Sequence, residues 1–105
     1  MGKWIYVKEI ATPISELKKI NTQLINASLK TKVDVQIQFS SRNGGGENLR
    51  QSVDVSFFRN DKTFFFSFYV FTGLEKNKKA VELCKKLMKE PDEWDEIKAE
   101  LKSIV

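Results

Sequence analysis

A chain of 105 residues with 41% hydrophobic and 30% charged side chains has room for one domain, residues 1–105, with one modest core, and its composition excludes a disordered or fibrous protein. With no histidine and one cysteine, it cannot build a thiolate–imidazole zinc site, a Ser-His-Asp or Cys-His centre, or an internal disulfide. The longest apolar run is about one strand long, against roughly 20 residues for a membrane span, and MGKWIYVKEI lacks a signal peptide's apolar segment; a cytoplasmic protein without a membrane partner is expected.

Residues 3–9 (KWIYVKE) read as a short strand, with Ile5 and Val7 on one side and Trp4, Tyr6 and Lys8 on the other. In the segment that follows, Thr12 is placed to cap a helix and Pro13 to occupy its first position, where no amide hydrogen is needed. Ile14, Leu17, Ile20, Leu24 and Ile25 then keep helical spacing and form one apolar stripe, interrupted by Asn21. KVDVQIQFS (32–40) alternates, with Val33, Val35, Ile37 and Phe39 on one face. SRNGGGENLR, which comes next, is a polar connection without the Gly-Lys-Ser/Thr of a P-loop.

SVDVSFF (52–58) and KTFFFSFY (62–69) flank Asn60 and Asp61, two residue types that tolerate the positive φ of a two-residue hairpin. With those two at the turn, Phe57 faces Phe64, Val55 faces Phe66 and Val53 faces Phe68, and all six share a face. A slip of one residue would destroy that agreement. GLEKNKKAVELCKKLMKE changes to helical period: Ala80, Val81, Leu83, Cys84, Leu87 and Met88 fall on one side and the lysines on the other. Pro91 opens a last helix with an acidic first turn and a stripe of Trp94, Ile97, Leu101 and Ile104. The fold class is α+β: a two-layer sandwich in the order β-α-β-β-β-α-α, with a mainly antiparallel four-stranded sheet and amphipathic helices on one face.

Charge is uneven. Residues 90–105 hold two lysines against six acids, whereas the chain as a whole carries a net +4. A basic body of this kind suits an anionic partner. The outward side of 62–71 carries Phe65, Tyr69 and Phe71, and three uses are open for such rings: core beneath a final helix that folds over them with Trp94, a symmetric dimer interface, or a platform for stacking unpaired bases. Asp34 and Asp54, if neighbours on that outer face, form a candidate Mg²⁺ or acid–base pair; solvated strand acids are the plainer reading. Cys84 lies on an apolar helix face and reads as an inert thiol.

Two resemblances rest on specific residues. WIYVKEI and KTFFFSFY resemble the paired motifs of the RNA recognition motif, but Thr63 and Phe65 stand where that family has small residues and the chain closes on a helix. NKKAVELCKKLM is similar to the Lys-Lys-x-Ala helix start of double-stranded-RNA-binding domains, within a matching α-β-β-β-α order, yet the alanine is one position early and NGGGEN replaces that family's loop. Neither carries a diagnostic motif, so neither family is assigned.

The expectation is a small non-enzymatic binding module for nucleic acid. Lys78, Lys79, Lys85, Lys86 and Lys89 would hold phosphates with Arg42 and Arg50 from the loop, and Trp4, Tyr6, Phe65, Tyr69 and Phe71 would stack on bases. The alternative is a protein-interaction module or homodimer, of inhibitor or adaptor type, that uses the aromatic face. No cofactor or metal is expected.

Overall fold

The computed structural model describes residues 11–41 and 51–104. Its elements run α1 (Ile14–Ser28), β1 (Asp34–Ser41), β2 (Gln51–Arg59), β3 (Lys62–Tyr69), α2 (Leu74–Lys89), a 3₁₀ turn (Pro91–Glu93) and α3 (Trp94–Ile104). The fold is α+β, but the described sheet has three antiparallel strands in the order β1-β2-β3, not the four expected. The strand expected over residues 3–9 lies outside the described residues.

The β2–β3 hairpin adopts the register that the sequence requires: Phe57 pairs with Phe64, Val55 with Phe66 and Val53 with Phe68. All six side chains are buried. Of the two turn residues only Asn60 enters the left-handed region, at φ 55°, a conformation that asparagine tolerates better than most residues. β1 continues the same inner face with Val35, Ile37 and Phe39, which are only partly buried.

The helices cover that inner face as one layer. α2 packs between α1 and α3, and α1 lies over β1 and β2. Leu17, Ile20 and Leu24 of α1, the expected apolar stripe of α2, and Trp94, Ile97, Leu101 and Ile104 of α3 join the sheet residues in one core. Ile25, expected in the α1 stripe, is instead exposed, because the stripe that reaches the core is narrower than the sequence pattern.

α3 is fixed to the hairpin end of the sheet from the inner side. Arg59 donates to the Pro91 carbonyl and also pairs with Asp92 at 3.0 Å, Lys62 approaches Asp95 at 3.9 Å, and the Lys98 ammonium lies 5.7 Å from the centre of the Phe64 ring. Trp94 is therefore core on the helical side. It does not roof the outer aromatic face.

A buried polar latch replaces the cap expected at Thr12. Pro13, extended at φ −64° and ψ 154°, is the N-cap of α1 and has no side-chain cap bond. The Thr12 hydroxyl instead donates to the Thr72 carbonyl at 2.7 Å, and Asn77 Nδ2 donates to Thr12 Oγ1 at 2.8 Å and to the Tyr69 carbonyl at 3.1 Å. The Thr12 amide donates to the Val70 carbonyl at 2.8 Å. Both side chains are almost wholly buried, so these bonds replace water that cannot reach them. Replacing Asn77 by Ala takes from the buried Thr12 oxygen its donor and leaves the Tyr69 carbonyl with the Thr72 amide, and the expected loss is about 1–3 kcal/mol of unfolding free energy, read as a lower urea midpoint. An unchanged midpoint would show that the latch carries no stability.

Candidate interaction surfaces

Strand alternation puts two sets of side chains on opposite sides of the sheet. The inner set is the core. On the outer face the rungs read Asp34, Phe58 and Thr63; then Gln36, Ser56 and Phe65; then Gln38, Asp54 and Ser67; then Ser40, Ser52 and Tyr69. Phe71 extends the row beyond β3. Its ring stacks on Tyr69 with centroids 5.2 Å apart and planes 6° from parallel, and Phe58 meets Phe65 edge-on at 6.4 Å. Phe65 is 67% exposed, Phe71 66% and Tyr69 38%. Rings this open are uncommon on a surface with no further use.

Asp54 organises the polar part of this face. Ser52 and Ser67 donate to its Oδ1 at 3.1 and 2.8 Å, and Ser40 donates to Oδ2 at 2.7 Å. One residue from each strand thus contributes a hydroxyl to one carboxylate, a convergence that cross-strand pairing creates and that no local motif announces. Asp34 and Asp54 are not neighbours. Asp34 pairs with Phe58 and Asp54 with Gln38, which places them two rungs of alternating side chains apart, about 14 Å. The expected acid–base or Mg²⁺ pair is therefore absent, and the described residues contain no cluster of three or more potential metal-ligating Asp, Glu, Cys or His residues.

The lysines occupy the other side of the molecule. α2 buries Asn77, Ala80, Val81, Leu83, Cys84, Leu87 and Met88 and turns Lys78, Lys79, Lys85, Lys86 and Lys89 away from the sheet. Three of these five have acidic partners: Lys78 with Glu75 at 3.9 Å, Lys85 with Glu82 at 3.3 Å and Lys86 with Glu93 at 3.3 Å. Among the described residues Lys79 and Lys89 have no ion pair. A depression of about 560 Å³ at the end of α2 is lined by Lys85, Lys86 and Lys89 together with Glu82, Glu90 and Glu93. Equal numbers of both signs make it a mixed surface, not a cationic cradle.

The structure thus places Phe65, Tyr69 and Phe71 on one face as two ring pairs, Phe58–Phe65 and Tyr69–Phe71, with Ser67 between them, and separately gathers the five lysines, with the sheet and the core between the two groups. Trp4, Tyr6, Arg42 and Arg50 lie outside the described residues. Sequence reasoning missed Asn77, which reads as one more polar residue in a lysine-rich helix, and the three serines around Asp54; only the register exposes their convergence. No helix among the described residues is long and apolar enough to cross a membrane. In comparisons with known proteins, no family model, curated protein or solved structure matches the chain.

Cys84 is fully buried, and burial alone pushes its thiol far above the ordinary 9.0, because a thiolate loses its hydration there. Above about pH 9 the unfolded chain gives up this proton and the folded chain keeps it, so the folded state binds more protons and stability falls as pH rises. Below that pH both states are protonated and the contribution vanishes. The wild type should lose up to about 1.4 kcal/mol per pH unit more than Cys84→Ala above pH 9, measured by urea unfolding at matched pH. Parallel pH profiles for the two proteins would overturn the assignment.

Proposed function

We propose that this chain is a small non-enzymatic binding module that engages a protein through the outer aromatic face of its sheet. The observation that carries this reading is the exposure of Phe65 and of the stacked Tyr69–Phe71 pair on a face whose remaining described side chains are mostly serine, glutamine and threonine. Aromatic anchors bounded by small polar residues are the usual make-up of a protein-binding patch. A stacking platform for bases needs cations beside its rings to hold the phosphates. Among the described residues this face has none, since Arg59 and Lys62 belong to the inner alternation and pair with Asp92 of the 3₁₀ turn and Asp95 of α3.

A test uses the full chain with a photoreactive phenylalanine analogue in place of Phe65, irradiated in cells, with the same analogue in place of Lys79 as control. The expected result is a discrete protein adduct at position 65, lost when Tyr69→Ser and Phe71→Ser are added. An adduct of twice the chain mass identifies the homodimer form of the same reading. A nucleic-acid adduct at position 65, or no adduct beyond the control, overturns it.

Nucleic-acid binding by the lysine face is a second reading, favoured by the unpaired Lys79 and Lys89 and the net charge of +4. Binding there rests on phosphate contacts and counterion release. Fluorescence anisotropy with a single-stranded oligonucleotide should then give an affinity that falls steeply between 50 and 200 mM salt, drops further in Lys79→Glu/Lys89→Glu, and is unmoved by Phe65→Ser. Affinity that ignores salt, or that depends on Phe65, counts against it.

A further inference from the structure

Resting on the aromatic face as a protein-binding surface, we infer that its partner presents a basic segment, with arginine or lysine side chains seated against the rings. The charge on the face is one-sided: its described side chains include Asp34 and Asp54 and no lysine or arginine. A cation approaching the described side chains meets no repulsion from them, whereas a second copy docked by a two-fold axis would bring the same acidic face against itself and offer it no cation from those side chains.

The local chemistry around Asp54 has the form a guanidinium or ammonium group requires. A carboxylate offers about four acceptor positions. Ser52 and Ser67 occupy two on Oδ1 and Ser40 occupies one on Oδ2, which leaves a further position on Oδ2. The hydroxyls fix the carboxylate's orientation without neutralising its charge. Ser67, its cross-strand partner, lies between Phe65 and Tyr69 on β3, so Asp54 is diagonal to both rings, at a spacing of about 7–8 Å. A cation over the face of Tyr69 gains from the ring quadrupole and has the carboxylate alongside it.

The same pairing of acid and ring recurs at the other end of the face, where Asp34 stands directly across from Phe58. The two acids are about 14 Å apart, which matches two cationic residues four positions apart on an extended segment, at roughly 3.3 Å per residue. An extended basic segment laid along the strands reaches both.

The test is titration of the ¹⁵N-labelled chain with two synthetic peptides of equal length and apolar content, one carrying arginines four residues apart and the other carrying glutamates there. The expected result is amide shifts at Asp54, Phe65, Ser67 and Tyr69 with the arginine peptide, affinity at least tenfold above that of the glutamate peptide, and a five- to tenfold loss in Asp34→Asn/Asp54→Asn. Equal binding of the two peptides, shifts confined to α2, or no shifts with the arginine peptide overturns the inference, and the wild-type comparison holds even if the double variant fails to fold. If the position-65 adduct persists undiminished in the double variant, the aromatic face stands as an interface and the basic partner does not.

Discussion

The β2–β3 turn decides which side of the sheet becomes interior. Because side chains alternate, the choice of Asn60 and Asp61 as the two turn residues assigns Val53, Val55, Phe57, Phe64, Phe66 and Phe68 to one face together. Burying a large apolar side chain contributes roughly 1.5–3 kcal/mol, so six of them outweigh any preference of the outer residues. A slip of one position in β3 would turn Ser67 inward with Phe65 and Tyr69 and set Phe64, Phe66 and Phe68 outward beside Asp54 and Ser56. The aromatic outer face follows from the same choice: β3 has rings at five of its eight positions, and the register that buries three of them must present the other two outward.

The helical layer is then committed to the inner side. The α2 stripe and the four apolar residues of α3 match that face, and Asp92 of the 3₁₀ turn and Asp95 in the first turn of α3 meet Arg59 and Lys62 at the hairpin end. These exposed pairs contribute little to stability individually; what they do is orient α3. With α3 held there, Trp94 completes the core, and the outer rings receive no cover from it. The lysines of α2 face away from the sheet, so charge and aromaticity are partitioned between two surfaces.

Long-range polar bonding ties the segment before α1 into this frame. Thr12 and Asn77, 65 positions apart, meet in the interior, and the carbonyls of Tyr69, Val70 and Thr72 all accept bonds from them. The chain leaving β3 for α2 is thereby fixed where it passes the stacked Tyr69–Phe71 pair. The latch and the aromatic face thus share a segment of backbone.

Local pattern determined much of this protein. Helical and strand periods, the Asn60–Asp61 turn, the apolar sides of α2 and α3 and the inert Cys84 are all legible in the residues, because each depends on neighbours a few positions away. So is the identity of the outward rings Phe65, Tyr69 and Phe71, once the register is known. Tertiary structure alone decided the rest: that α3 joins the inner side, that Asp34 and Asp54 stand apart, that three serines from three strands converge on Asp54, and that Thr12 bonds across the fold instead of capping α1. Apart from Ser52, two positions from Asp54 on the same strand, these depend on residues distant in sequence, and side-chain periodicity encodes which face a residue occupies but not which residue from another element will meet it there.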